Sequence, residues 1–280
     1  MRIGFLGPRG TFSQEALNKY IGCNKERNTY KIVAYNTIPE MLYAVMSGDL
    51  DEAVVPIENS IEGGVGVTLD MMAFEVDLMI KAELTIQIRQ NLLVRKGTRL
   101  EDIKCILSHP QAVGQCRKFI NSSLSRAEIR FVYSTAEAAQ EVAARINNDH
   151  GAIGSIAAAE EYKLDVLASS IQDKDNNLTR FVVISKKDSP RTGSDKTSIV
   201  FSTEDRPGSL YRILDIFNLW DINMTRIESR PEKNQLGRYI FFVDIEGHRD
   251  DEDVRDALAM VRRKTSFYKF LGSYPKWKVE

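Results

Sequence analysis

One segment of the sequence combines neutral hydrogen-bonding side chains in a pattern that suits ligand binding. Gln111 and Gln115 lie four residues apart, so their amides would face the same side of a helix. Pro110 suits the first position of that helix, and Ser108 stands at the end of the strand before it. Hydroxyl and amide groups at one opening suit a polar, oxygen-rich ligand. His109 could add an acid or a base there, or it could be a packed or surface residue.

Two further segments carry polar residues beside predicted strands. Asn59 and Ser60 follow an apolar strand and precede a run of glycines, which lets a backbone approach a ligand closely. An acidic surface loop would explain the same residues. Thr179 and Arg180 stand where a loop enters another strand. Taken alone, Arg180 suits a structural ion pair better than a ligand contact.

The loop Gly7–Gln14 precedes the first predicted helix. Thr11 and Gln14 have the spacing of a capping box, and a capped helix start with available N–H groups can bind an anion. A well-capped strand-to-helix turn is the alternative interpretation. The loop is no Walker A motif, because the closing Gly-Lys-Ser/Thr is absent.

The sequence lacks the motifs of several enzyme classes. It has no Ser-His-Asp order, no GxSxG, no His/Cys metal spacing and no dinucleotide fingerprint. The three cysteines, Cys23, Cys105 and Cys116, form no CxxC pair and indicate structural thiols. Cofactor-free chemistry without a metal, or binding alone, remains.

The elements that must position these residues alternate between strand and helix up to residue 184, which predicts an α/β fold with parallel sheets. A strand at Glu52–Val55 is expected to stop at Pro56, and one helix is expected to cover Pro110–Ile120. Leu78–Arg89 and Asn91–Arg95 are extended with no helix between them, and could carry the chain from one lobe to another.

A different module follows the turn-rich segment Ser185–Lys196, which is predicted to be a linker. From Thr197 the pattern predicts a βαββαβ unit of the ferredoxin-like type, with a turn at Asn234 and Gly237. Its two helices would cover one face of the sheet and leave the other face for a partner.

Composition and charge exclude some functional classes. Hydrophobic residues make up 43% and charged residues 28% of 280 residues, with a net charge of -1. Neither part of the chain has the basic excess typical of nucleic-acid binding. No run of about 18 apolar residues and no signal peptide is present, so we expect no membrane span and a cytoplasmic protein.

Six motifs in fixed order resemble the prephenate dehydratase family. They are the GPxGTFS loop at Gly7–Ser13, ENS at Glu58–Ser60, SHPQ at Ser108–Gln111 with Gln115-Cys116, TRF at Thr179–Phe181, a GALV-like loop at Gly208–Tyr211 and ESRP at Glu228–Pro231. The resemblance implies residues 1–184 as a catalytic domain of two α/β lobes similar to periplasmic binding proteins. The lobe crossover would lie near 76–95 and the return near 178–184. Residues 185–196 would be a linker, and 197–280 an ACT regulatory domain.

The family's reaction converts prephenate to phenylpyruvate, CO2 and water without a cofactor or metal, and phenylalanine inhibits it at the ACT domain. The family motifs begin at Gly7, so a monofunctional chain is expected. The resemblance also implies a homodimer or homotetramer. Arogenate dehydratase, or a two-lobed ligand-binding regulatory protein, is the alternative function.

The resemblance also implies roles for individual residues. Thr179 would donate a proton or hydrogen bond to the leaving hydroxyl. Arg180 would meet the pyruvyl carboxylate, because a salt bridge to the departing carboxylate would stabilise the ground state. The expected catalytic residues are Thr179, Asn59, Ser108 and Gln115. The expected substrate-binding residues are Thr11, Ser13, Ser60, Gly63, Gly64, His109, Arg180 and Phe181. The expected effector-binding residues are Gly208, Ser209, Leu210, Asn223, Glu228, Ser229 and Arg230.

Overall fold

A computed structural model describes residues 1–23, 30–232 and 238–277. The chain forms two compact units. The first unit comprises Met1–Met41, Val54–Gly63 and Thr85–Phe181, and the second comprises Leu42–Ala53, Gly64–Leu84 and Val182–Glu280. The turn predicted at Asn234 and Gly237 lies outside the described residues.

The described residues form fifteen strands and nine α-helices. The strands are β1 (Arg2–Leu6), β2 (Lys31–Tyr35), β3 (Glu52–Asn59), β4 (Gly63–Gly64), β5 (Met79–Gln87), β6 (Asn91–Val94), β7 (Cys105–Ser108), β8 (Glu128–Phe131), β9 (His150–Gly154), β10 (Asp165–Ala168), β11 (Leu178–Ser185), β12 (Asp195–Ser202), β13 (Met224–Pro231), β14 (Tyr239–Glu246) and β15 (Phe267–Pro275). The helices are α1 (Phe12–Cys23), α2 (Ile38–Ser47), α3 (Gly66–Asp70), α4 (Pro110–Gln115), α5 (Arg117–Ser123), α6 (Thr135–Ala144), α7 (Ile156–Tyr162), α8 (Ser209–Leu219) and α9 (Glu252–Lys264). A π-helix at Met71–Glu75 and a 3₁₀ helix at Leu100–Asp102 complete the set.

Three sheets confirm the α/β class. The orders are β2-β1-β3-β11-β5, β10-β6-β9-β7-β8 and β13-β14-β12-β15, with β4 paired to β3. The expectation of wholly parallel sheets is wrong in the second sheet, where β6 runs antiparallel to β9 and β10. Only three residues separate β5 from β6. The chain therefore passes from β5 of the first sheet to β6 of the second without an intervening helix.

The predicted end of one strand and the predicted continuity of one helix are also wrong. Strand β3 continues through Pro56 to Asn59, because the fixed φ of proline is compatible with an extended chain and its missing N–H removes only one ladder bond. The helix predicted over Pro110–Ile120 breaks at Cys116 into α4 and α5. The Gln115 carbonyl accepts from the Asp173 N–H at 2.6 Å, so it does not continue the helical hydrogen bonding.

The C-terminal βαββαβ module has the predicted helix arrangement but a covered second face. Helices α8 and α9 pack on one face through buried residues such as Ile216, Phe217 and Val261. On the other face Phe267 stacks on Phe74 with ring centroids 6.0 Å apart. Residues 64–84 of the same chain thus cover the face that the sequence assigned to a partner.

The segment predicted as a linker is held along its length by its own unit. Ser189 donates through Oγ to the Lys81 carbonyl at 2.7 Å, and Asp188 pairs with Arg249 at 3.2 Å. Strand β12 begins at Asp195, inside the predicted linker. Its turn-forming composition therefore reflects tight turns rather than a loose connection.

Candidate active site

A cavity of about 310 Å³ opens within the first unit. Its walls come from the ends of strands and the starts of helices, which is where open α/β sheets bind ligands. The lining residues are Leu6, Thr11, Phe12, Ser13, Asn59, Ile88, Gln90, His109, Gln111, Ala112, Gln115, Tyr133, Ser134, Thr135, Asn177, Thr179 and Phe181.

A chain of neutral side chains crosses this cavity. Asn59 donates through Nδ2 to Thr179 Oγ1 and to Asn177 Oδ1, both at 2.8 Å. Asn177 donates in turn to Gln115 Oε1 at 3.2 Å. Gln90 donates to the same oxygen at 3.4 Å, and its own Oε1 is buried without a protein partner among the described residues. One hydrogen-bonded network therefore runs from Thr179 through Asn59, Asn177 and Gln115 to Gln90.

The orientation of the Asn59 amide is fixed by its other contacts. Its Oδ1 accepts from the backbone N–H groups of Ile61 at 2.9 Å and Glu62 at 3.0 Å. All four hydrogen-bonding positions of this amide are then used, and a flipped amide would face two N–H donors with its own NH₂. Asn59 therefore approaches Thr179 as a donor.

Helix starts supply the polar groups on the opposite walls. Thr11 precedes α1, and its hydroxyl donates to the Leu6 carbonyl at 3.0 Å. His109 caps α4 by accepting from the Gln111 N–H at 3.3 Å. Ser134 caps α6 by accepting from the Glu137 N–H at 3.0 Å. The first turns of α1 and α6 contribute positive ends of helix dipoles to the cavity.

The residues that line the cavity include no Lys, Arg, Asp or Glu within the described part of the chain. Its titratable side chains are His109 and Tyr133. Apolar side chains such as Phe12, Ile88 and Phe181 fill the rest of the wall. An anion bound here would thus be held by hydroxyls, amides and helix N-termini rather than by a cation.

Seven of the twelve residues predicted for catalysis or substrate binding line the cavity. They are Thr11, Ser13, Asn59, His109, Gln115, Thr179 and Phe181. Asn59 and Thr179 meet because β3 ends and β11 begins at this point, as neighbours in one sheet. His109 and Gln115 come from the segment that follows β7 of the second sheet.

The other five do not line the cavity. Ser108 is fully buried, and its hydroxyl donates to the Ile153 carbonyl at 2.8 Å. Ser60 donates to the Asn176 carbonyl at 2.9 Å, which ties the loop after β3 to the segment before β11. Gly63 and Gly64 form the short strand β4.

Arg180 is displaced from the cavity by strand alternation. Thr179 and Phe181 line the cavity, and the residue between them must point to the opposite face of the strand. The Arg180 side chain is 13% exposed and pairs with Glu58 at 3.6 Å. Arg180 therefore does not line the cavity, and its expected contact with the substrate carboxylate stays a prediction.

Sequence reasoning missed several lining residues, among them Gln90, Asn177, Tyr133 and Thr135. Asn177 directly precedes β11 and lies two residues before Thr179, so the period of two, continued by one residue, could have identified it. Tyr133 and Thr135 follow β8, where the rule that ligands bind beyond strand ends applies. Gln90 lies between β5 and β6, where no local signal marks it.

Metal and membrane features are absent from the described residues. No group of three or more His, Cys, Asp or Glu side chains there could hold a metal ion. No helix in the described ranges is long and apolar enough to cross a membrane.

A second cavity, of about 380 Å³, lies at the start of α8 in the second unit. It contains three of the seven residues predicted to bind the effector, Gly208, Ser209 and Leu210. The remaining lining residues are Thr203, Glu204, Asp205, Arg206, Tyr211, Arg238, Tyr239 and Phe241. Asn223, Glu228, Ser229 and Arg230 do not line it.

Glu228 and Arg230, on β13 of the C-terminal module, instead contact residues 64–70 of the same unit. The Glu228 carboxylate fills the space that a Cβ on Gly64 would need. Arg230 Nε donates to Asp70 Oδ1 at 3.0 Å. Ser229, between them on β13, is exposed on the other side, as strand alternation requires.

Comparisons with known proteins identify families that match both parts of the chain. A prephenate dehydratase family model matches residues 3–189, and an ACT domain model matches residues 197–260. The curated prephenate dehydratase of Mycobacterium tuberculosis is 38% identical over 98% of this chain and 87% of its own length. A bifunctional chorismate mutase/prephenate dehydratase of Aquifex aeolicus is 41% identical over 99% of this chain and 74% of its own length.

A solved structure shares the fold over nearly the whole length. It is a prephenate dehydratase from Arthrobacter aurescens in complex with L-Phe, with a TM-score of 0.89 and 38% identity. The match covers 99% of this chain and 90% of the other. By sequence and fold, this chain belongs to the prephenate dehydratase family and carries an ACT domain.

Proposed function

We propose that this chain converts prephenate to phenylpyruvate, CO2 and water, with L-phenylalanine as a feedback inhibitor. The observation that carries the proposal is the neutral cavity in which Asn59 donates to Thr179 Oγ1 at 2.8 Å. Because that oxygen already accepts from Asn59, the hydroxyl hydrogen of Thr179 is directed elsewhere. It is placed to donate to the substrate hydroxyl that leaves.

The two carboxylates of prephenate need different surroundings. The ring carboxylate departs as neutral CO2, so a cation beside it would stabilise the ground state and slow the reaction. Apolar wall residues such as Phe12 and Ile88 suit that group. The pyruvyl carboxylate keeps its charge, and we assign it to the start of α1, at Thr11 and Ser13. Arg180, on the other face of β11, has no part in this assignment.

The effector proposal rests on the second cavity. The N-terminal turn of α8 would bind the carboxylate of phenylalanine, and Leu210 would contact its ring. Asp205 offers a carboxylate for the ammonium group. Asn223 does not line this cavity, so in this proposal it would contact the ligand from a second copy of the chain, in a homodimer or homotetramer.

Turnover of the purified chain tests the catalytic proposal. Prephenate and arogenate are supplied separately, without added cofactor, and phenylpyruvate and phenylalanine are measured. Phenylpyruvate from prephenate is the expected product. Preferential conversion of arogenate would reassign the substrate. Calorimetric binding of prephenate without turnover would support the regulatory binding protein.

Calorimetry with phenylalanine tests the effector site in the full chain. Leu210→Ala removes an apolar contact in the second cavity and should raise the Kd for phenylalanine about tenfold or more. Leu219→Ala is the matched control, because that leucine is 69% exposed at the end of the same helix. Equal affinities in the two variants would contradict this placement of the effector.

A further inference from the structure

Asn177 occupies a central position in the hydrogen-bonded network of the first cavity. It is 3% exposed, and it lies two residues before Thr179 and lines the same cavity. Its Oδ1 accepts from Asn59 at 2.8 Å and its Nδ2 donates to Gln115 Oε1 at 3.2 Å. It is thus the side chain that joins the Asn59–Thr179 pair to Gln115.

The direction of the hydrogen bonds follows from the backbone contacts at one end. The N–H groups of Ile61 and Glu62 fix the oxygen of Asn59, so both Nδ2 hydrogens point to Thr179 and Asn177. Asn177 must then accept from Asn59 with its oxygen and donate to Gln115 with its nitrogen. Gln115 accepts with its oxygen, which leaves its Nε2 hydrogens for a ligand in the cavity.

We propose that Asn177 is a positioning residue that makes Thr179 and Gln115 both present hydrogen-bond donors to the substrate. This role rests on the proposed function, since it concerns the reaction at Thr179. Without Asn177, one Asn59 hydrogen loses its acceptor. The Gln115 oxygen then keeps only the longer bond from Gln90, at 3.4 Å, so the amide can turn that oxygen toward the cavity. An oxygen there would repel substrate oxygens that need a donor.

Steady-state kinetics with prephenate compare Asn177→Ala with Asn176→Ala. Asn176 is the matched control, because its side chain is exposed and only its backbone carbonyl contacts Ser60. Asn177→Ala should lower kcat about 10- to 100-fold, with a smaller change in KM, because displaced catalytic groups cost factors of this size. Asn176→Ala should match the wild type. Equal kcat in the two variants would overturn the proposal.

A double-mutant cycle separates positioning from a general structural effect. If Asn177 acts through Gln115, Gln115→Ala combined with Asn177→Ala should be much less impaired than the product of the two single losses. Multiplicative losses would overturn the proposal. A wild-type chain that does not convert prephenate would instead overturn the proposed function, and the role of Asn177 with it.

Asn177→Asp provides the test if the alanine variant does not fold. The carboxylate still accepts from Asn59, but only its protonated form can donate to Gln115. Its kcat should therefore rise as the pH falls through the pKa of the new carboxyl group, whereas the Asn176→Ala variant should follow the wild-type profile. An Asn177→Asp profile that follows the wild type as well would overturn the proposal.

Discussion

At Thr179, one hydrogen bond decides what the hydroxyl can do. Asn59 occupies an acceptor position of its oxygen, so the hydroxyl acts as a donor toward the cavity. The pKa of a threonine hydroxyl is far above neutrality, so it cannot supply a free proton. Its contribution is a hydrogen bond that strengthens as negative charge grows on the leaving oxygen.

Removal of this hydroxyl should mainly affect kcat. We expect Thr179→Val, which keeps the shape of the side chain, to lower kcat roughly 10²–10³-fold with a smaller change in KM, as for other donors to developing negative charge. Thr179→Ser should retain much more activity because it keeps the hydroxyl. Initial rates at saturating prephenate measure both. A valine variant with near wild-type kcat would exclude Thr179 as the donor.

The neighbouring Arg180 shows what the sequence could and could not predict at this scale. The TRF motif places Thr179, Arg180 and Phe181 together, but a strand sends adjacent side chains to opposite faces. The sequence pattern placed Thr179 and Arg180 where a loop enters a strand, whereas β11 already begins at Leu178. A strand that begins at Leu178 places Thr179 and Phe181 on one face and Arg180 on the other.

The cysteines should differ in reactivity because their exposure differs. Cys116 is fully buried, and burial together with the charge of Asp173 raises the pKa of its thiol to about 12. At pH 8 only about one Cys116 in 10⁴ would be a thiolate, the form that reacts. Iodoacetamide should therefore label the exposed Cys23 in the native protein and Cys116 only after denaturation. Peptide mass spectrometry measures this, and early labelling of native Cys116 would contradict its burial.

At the scale of elements, local patterns predicted most helices and strands, and long-range contacts caused the errors. Helix α6 begins where Ser134 can cap it, which the sequence shows directly. The break after Gln115 depends on Asp173, 58 residues later, which takes the carbonyl that would have continued the helix. No local pattern contains that information, although the break helps to place the Gln115 side chain at the cavity.

Gly272 allows β15 to pass close to β5 in the second unit. It has φ +137°, and a Cβ there would overlap the backbone of Ile80. Gly272→Ala should lower the free energy of unfolding by about 3–5 kcal/mol, because strain and overpacking add. Gly193→Ala is the control, since Gly193 has φ +85° but open space around it, and should cost about 1–2 kcal/mol. Urea denaturation measures both, and equal losses would mean that the contact with Ile80 is easily relieved.

At the scale of the whole molecule, the two compact units are not continuous stretches of the chain, because each combines three separate segments. The composition change near Ser185 predicts two independent domains, and the two family models also meet near this point. The second unit nevertheless combines Leu42–Ala53 and Gly64–Leu84 with the C-terminal module. Burial of Glu83 against Lys196, 2.9 Å away, depends on this association. The pairing joins residues more than a hundred positions apart, so sequence patterns could not predict it.

Truncation after Ser185 should therefore destabilise the protein instead of releasing an uninhibited enzyme. It would remove the sheet that covers residues 64–84. It would also remove Arg230, which pairs with Asp70, and Lys196, which pairs with Glu83. Exposed apolar residues such as Phe74 would favour aggregation.

We expect the shortened chain to be poorly soluble or to unfold at a clearly lower Tm, as measured by circular dichroism. Co-expression of residues 186–280 as a separate chain is the control, and it should restore Tm and turnover if packing, not the peptide bond at 185, is what matters. A shortened chain with the Tm and kcat of the full protein would show that residues 64–84 need no such cover.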